Sequence, residues 1–147
     1  MTHYWRYDPA DISINSICRL ANVSKPSLYR EFGNEDGLMR AALDRYAGVV
    51  LSEIVNILQA EESLNVTLDR LIDFICIERM ESGCLFYKMW YGKHRLGSET
   101  LERLHELAEE AQALYEVFLE GHRDSGEWEP ESSIAFSAQY LLHQIGL

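Results

Sequence analysis

Three features of the sequence predict an all-α protein, with an N-terminal helix-turn-helix unit followed by a larger helical domain. Apolar residues recur at steps of three and four instead of alternating. Residues of capping type, Ser13, Ser24 and Asn34, stand directly ahead of three such patterns. The intervening breaks are short and carry glycine or proline, as in "ESG" at 81–83 and "HRDSGEWEP" at 122–130.

Each element follows from local signals. Ser13 caps a first helix to about Ala21, with Ile14, Ile17, Leu20 and Ala21 expected on its buried side. Asn22 and Val23 turn the chain. Ser24 then caps a second short helix whose first turn holds Pro26, where a missing N–H does little harm, and which ends near Phe32 and Gly33. Asn34 caps a long third helix to about residue 60, carrying Leu38, Ala42, Tyr46, Val50, Ile54 and Ile57 or Leu58 on one stripe. Glu35 and Asp36 complement the positive end of its dipole. Further helices are expected over 65–81, with Leu68, Leu71, Ile72 and Ile75 inward, and over 84–95, 99–123 and 131–146. Leu101, Leu104, Ala108, Ala111, Tyr115, Phe118 and Leu119 give the 99–123 segment the clearest stripe, and Pro130 is expected to open the last helix.

Composition narrows the classes of function. A chain of 147 residues with 47% hydrophobic content, three prolines and no repeated tract folds around a real core. The amino terminus has neither a basic nor an apolar signal region, and no stretch approaches the roughly 18 uncharged residues of a membrane span. No membrane association and a cytoplasmic location are the expectation. Cys18, Cys76 and Cys84 form no CxxC pair and have no histidine at zinc-like spacing, which argues against a disulfide framework or structural zinc. Cys84 reads as a buried, inert thiol, with a thiolate at a helix start as the alternative.

The charge is unevenly placed. The 13 basic and 24 acidic residues give a net charge of -11, yet residues 1–45 hold six of each sign, leaving 7 basic and 18 acidic residues for 46–147. The whole excess lies in the larger part. With screening over about 8 Å at physiological salt, a distant acidic body weakens a phosphate contact at the other end without forbidding it.

Two short helices joined by a tight turn match the helix-turn-helix, whose second helix lies in the DNA major groove, with simple helix packing as the alternative. Ile17, Val23, Leu28 and Phe32 are expected to pack beneath it, leaving Lys25, Ser27, Tyr29 and Arg30 outward. Backbone amides at the Ser24 cap, with Lys25 and the hydroxyls of Ser27 and Tyr29, suit phosphate oxygens, and Arg30 has the fork geometry for a guanine edge. One short helix makes too few contacts, so operator reading requires two copies with paired helices about 34 Å apart.

The stretch "SINSICRLANVSKPSLYREFGNEDGL" at 13–38 resembles the DNA-binding signature of the tetracycline-repressor (TetR) family of bacterial transcription regulators. Ser13, Ile17-Cys18, Ala21, Val23-Ser24-Lys25, Leu28-Tyr29, Phe32 and Leu38 fall where that family has Thr or Ser, Ile-Ala, Ala, Val-Ser-Lys, Leu-Tyr, Phe and Leu. The motif covers about residues 4–47; beyond it, "GCLFYKM" at 83–89 and a late helix ending in "IGL" are similar in arrangement. The resemblance implies a DNA-binding domain over 1–47 and a helical ligand-binding and dimerisation domain over 48–147. It implies double-stranded operator DNA, a small effector and a second copy of the chain as partners, no cofactor, and DNA contacts from Ser13, Ser24, Lys25, Pro26, Ser27, Tyr29 and Arg30. In such proteins ligand binding swings the long helix after the motif and spreads two reading heads. Four departures stand out: Glu35 where a lysine is usual, Asn22 for glycine, only residues 2–7 as the tail of a first helix, and an end at Leu147 inside what resembles the penultimate helix.

Phe74, Met80, Phe86, Tyr87, Met89, Trp90, Tyr91 and His94 concentrate aromatic and sulfur side chains at mid-chain, suiting a flat or lipophilic effector, with ordinary core as the alternative. Phe74, Phe86, Tyr87, Trp90, Tyr91 and Tyr115 are the candidate lining. The best enzyme-like fragment, Glu102-x-x-His105 followed by Glu106 and Glu109, has iron-ligand spacing but no second such pair, and reads as a solvated face. His3, His94, His122 and His143 are scattered, and no glycine-rich phosphate loop occurs. An enzyme is not expected. A ligand-responsive regulator, most simply a repressor, is the first reading; a TetR-like ligand-binding or heterodimerising protein that does not bind DNA alone is the second.

Overall fold

The three caps read from the sequence close as hydrogen bonds in the computed structural model, which describes Tyr4 and residues 12–145, the side chains at 78–82 and 145 excepted. Ser13 Oγ accepts from the Ser16 amide at 3.2 Å and opens α1 (Ile14–Ala21). Asn22, left-handed at φ +53°, closes it. Ser24 Oγ accepts from the Ser27 amide at 3.2 Å and opens α2 (Lys25–Phe32). Asn34 Oδ1 accepts from the Gly37 amide at 2.9 Å and opens α3 (Glu35–Leu58). The turn between α2 and α3 depends on two glycines. Gly33 takes φ +78°, and a Cβ on Gly37 would stand 2.1 Å from the Phe32 carbonyl oxygen.

The chain continues through α4 (Leu64–Ser82), α5 (Leu85–Tyr91), a single 3-10 turn (Lys93–Arg95), α6 (Ser98–Asp124) and α7 (Ile134–Ile145). Seven α-helices and no strands make up the described residues. No helix among them is long and apolar enough to cross a membrane. α3 lies along α6 and α6 along α7. Between them sits the core, with Leu43, Tyr46, Val50 and Ile54 of α3 facing Leu104, Leu107, Ala111, Tyr115 and Phe118 of α6. The stripe expected on α3 is buried at Leu38, Ala42, Tyr46, Val50, Ile54 and Ile57. α3 runs unbroken past residue 47, so the helix-turn-helix and the body share one helix.

Four details differ from the sequence-based expectation, each for a physical reason. On α4 the inward stripe is Thr67, Leu71 and Ile75, which leaves Ile72 50% exposed. The helix is turned so that a polar residue is fully buried, and the Thr67 hydroxyl has no hydrogen-bond partner among the described residues. The helix expected over 84–95 breaks at Gly92, whose amide bonds to the Lys88 carbonyl at 3.1 Å as α5 ends. Pro130 lies in the connecting segment instead of opening α7; Ser133 performs that task, its Oγ accepting from the Phe136 amide at 3.2 Å. Of the apolar residues expected inward on α1 and α2, Ile14 and Leu28 are buried as expected and Ile17 partly so, while Leu20, Ala21, Val23 and Phe32 are exposed. Two eight-residue helices offer too little surface to cover that many apolar side chains. Tyr4, the one described residue of the expected first-helix tail, is buried and helical. The other residues of 2–7, with Gly146 and Leu147, fall outside the described residues, as does the Met80 side chain.

Candidate functional site

On α2 the exposed face carries Ser24, Lys25, Pro26 and Arg30, with Ser27 and Tyr29 partly covered. Ser13 is exposed at the start of α1. The serine hydroxyls are already engaged: Ser13 Oγ lies 3.0 Å from Ser16 Oγ, and Ser24 Oγ donates to Ser27 Oγ at 3.0 Å. Glu35, at the head of α3, reaches this face. Its Oε1 accepts from Tyr29 Oη at 3.0 Å and lies 3.8 Å from Lys25 Nζ. The Lys25 ammonium also stands 5.3 Å from the Tyr29 ring centre. Hydrogen bonding with Tyr29, reinforced by the Glu35 charge, raises the Lys25 pKa above the ordinary lysine value. Burial first, and the Glu35 charge second, push the Tyr4 phenol up to about 12.

The next residue along α3 faces the other way. Asp36 accepts from the Glu99 amide through Oδ2 at 2.9 Å and from the Thr100 amide through Oδ1 at 3.2 Å, and the Thr100 hydroxyl donates to the same carboxylate. These groups are at the N-terminus of α6, where a carboxylate satisfies otherwise unpaired amides and opposes the positive end of the dipole. Arg103 of α6 extends the junction, bonding Asp44 of α3 at 2.6 Å and Glu106 and Glu110 of its own helix at 3.0 and 2.8 Å. The start of α3 is thereby fixed to α6, the longest helix among the described residues.

A cavity of about 190 Å³ opens between α5, α6 and α7. Phe86, Tyr87 and Trp90 supply its aromatic wall, and Ala108, Glu109, Gln112, Gln139, Leu142 and His143 the rest. Trp90 stacks on Phe86 at 5.6 Å between ring centres, meets the edge of His105 at 5.6 Å, and carries Lys93 Nζ at 4.7 Å over its ring. Tyr87 Oη donates to the Leu142 and His143 carbonyls at 2.9 and 2.6 Å, which ties α5 to the end of α7. Three of the six residues expected to line a pocket therefore share one wall. Tyr115 is 1% exposed within the core, Phe74 packs against that core, and Tyr91 is 79% exposed with its ring stacked on Tyr87 at 5.9 Å. The polar wall from α6 and α7 was not read from the sequence; the only trace of it is that Glu109 and Gln112 flank the apolar stripe of α6. A second cavity, about 340 Å³, lies among Leu64, Leu68, Leu119, Trp128, Phe136 and Tyr140.

Other candidates resolve simply. Cys84 is buried, and Tyr46 Oη donates to its Sγ at 3.3 Å. Among the described residues no three His, Cys, Asp or Glu side chains gather as metal ligands. His105 of the Glu102-x-x-His105 pair instead meets Trp90.

No family model matches the sequence, and no curated protein matches it significantly. The fold does match solved structures. The reduced form of Escherichia coli NemR superposes with a TM-score of 0.81 at 20% sequence identity, over 97% of this chain and 76% of that one. A regulatory protein TetR from Rhodobacter sphaeroides gives 0.79 at 16% identity, over 97% and 78%. The all-α architecture, helix-turn-helix plus helical body, is thus that of the TetR regulators.

Proposed function

We propose that the chain is a ligand-responsive transcriptional regulator that binds operator DNA as a homodimer. Residues 1–47 read the duplex and 48–147 bind the effector and pair the subunits. The supporting observation is α2 itself: a capped helix with Lys25, Pro26 and Arg30 exposed on one face, followed by the helix that Asp36 joins to α6. The fold shared with the regulatory protein from Rhodobacter sphaeroides agrees with it. Ser13, Ser24, Ser27 and Tyr29 complete the DNA face, and the α5–α6–α7 cavity, with its Phe86, Tyr87 and Trp90 wall, takes a small aromatic or lipophilic effector.

The test is a binding titration on DNA flanking the chain's own gene. Lys25→Ala weakens binding to every sequence and lowers the salt slope by about one, whereas Arg30→Ala relaxes preference at one base pair and costs about 1–3 kcal/mol there. An unchanged salt slope for Lys25→Ala removes its phosphate role. The bonds from Glu35 to Lys25 and Tyr29 favour the second reading, a ligand-binding or heterodimerising protein without DNA affinity of its own. Retention of no duplex at low salt, with effector binding intact, selects that reading.

A further inference from the structure

Lys25 and Tyr29 are the two side chains on α2 best suited to grip a phosphate, and both already hold an anion. Glu35 Oε1 takes the Tyr29 hydroxyl at 3.0 Å and the Lys25 ammonium at 3.8 Å. A DNA phosphate oxygen bound by the same pair would need the same place, since it has the same charge and accepts the same hydrogen bonds. The carboxylate would also repel the incoming phosphate. We propose that Glu35 is an internal stand-in for DNA phosphate, occupying Lys25 and Tyr29 in the free protein and so setting the threshold at which α2 engages a duplex. The inference rests on the DNA-binding reading above and deepens it.

The pair is exposed, 44% for the Lys25 side chain and 59% for Glu35, so water and salt weaken it and a duplex is able to displace it. A threshold results, and not a lock. The position of the competitor is well defined nonetheless. Glu35 is the first residue of α3, and the Asn34 cap and the Asp36 bonds to α6 fix the turn on which it stands.

Glu35→Gln removes the charge while leaving an acceptor for Tyr29. A fluorescein-labelled mixed-sequence duplex, followed by anisotropy across a salt series, reads the effect without an operator, because phosphate contacts are independent of sequence. Glu35→Gln is expected to bind about fivefold tighter than wild type at low salt. Its salt slope should be steeper by up to about one counterion. Lys25→Ala in the Glu35→Gln background should abolish that gain, an outcome that a merely structural role for Glu35 would not produce. Binding by E35Q alone supports the proposal. Wild-type binding that E35Q leaves unchanged, or a gain that survives Lys25→Ala, overturns the role of Glu35 and leaves the DNA-binding reading standing. Absence of binding by both proteins, each shown folded by circular dichroism, overturns the two together.

Discussion

Glu127 lies outside every helix, yet its carboxylate joins two of them. Oε1 accepts from the Leu64 amide at 2.8 Å, at the start of α4, and Oε2 lies 2.6 Å from His122 Nδ1 near the end of α6. The Leu64 bond first, and His122 second, hold the carboxyl below its ordinary value of 4.5. A depressed pKa means that the ionised group favours the folded state, so its contribution is complete above that ordinary value and is lost as pH falls through the lower folded value. Glu127→Gln should therefore melt below wild type at neutral pH. The two melting curves should converge in acid, where wild type is protonated too. A gap that persists unchanged in acid would show that the charge of Glu127 contributes nothing.

At the scale of elements, the junction between α3 and α6 is built from residues 59 to 64 positions apart in the chain, and its tightest point is Gly97. A Cβ there would stand 2.2 Å from the Asp36 carboxyl carbon. α6 has no side-chain cap of its own, because its N-cap position is this glycine, and Asp36 supplies the missing acceptor from another helix. Gly97→Ala should cost about 1–3 kcal/mol by overpacking, a fall of about 3 °C in Tm per kcal/mol for a domain of this size. In an Asp36→Ala background the same substitution should cost much less, and an equal cost would place the obstruction elsewhere. This junction was beyond the reach of sequence reasoning for a definite reason. Caps such as Ser13, Ser24 and Asn34 act within three residues and announce themselves; Asp36 acts on amides 63 and 64 residues further along the chain, past two more helices, and in sequence it reads only as an acid in the first turn of α3. The stripe of α3 was legible because it is long and apolar, and most of that of α6 was too, with Leu104, Ala111, Tyr115, Phe118 and Leu119 buried as expected. Thr100 and Leu107, however, are fully buried, and Leu101 and Ala108 only partly. On α4, Leu71 and Ile75 are buried as expected, but the fully buried Thr67 was not legible, since it counts as polar in any pattern, and Ile72 is exposed instead. The cavity was half legible: its aromatic wall comes from one contiguous segment, whereas Glu109, Gln139 and His143 meet only after α6 and α7 pack.

For the molecule as a whole, α7 poses the remaining question, because it is apolar on more than one side. Ala138 and Leu142 are buried, yet Phe136 and Tyr140, four residues apart and so on one face, are 60% and 58% exposed. A helix that stays solvated on its outer side carries polar residues there, and a large exposed apolar face marks a contact surface. In the proposed regulator this face pairs with its own copy, because a two-fold axis sets the same patch against itself. Introducing a charge there should separate the subunits. Tyr140→Asp is expected to lower the mass measured by size-exclusion chromatography with light scattering from twice the 17.0-kDa chain to the single chain, with helical content unchanged. Loss of the second reading head should also weaken duplex binding by about a hundredfold or more, since bivalent engagement multiplies affinity without any new contact. Tyr91→Asp is the control: Tyr91 is 79% exposed, but on α5. Equal loss of mass for both variants would mean that general surface apolarity drives association; no loss for Tyr140→Asp would remove α7 from the subunit interface.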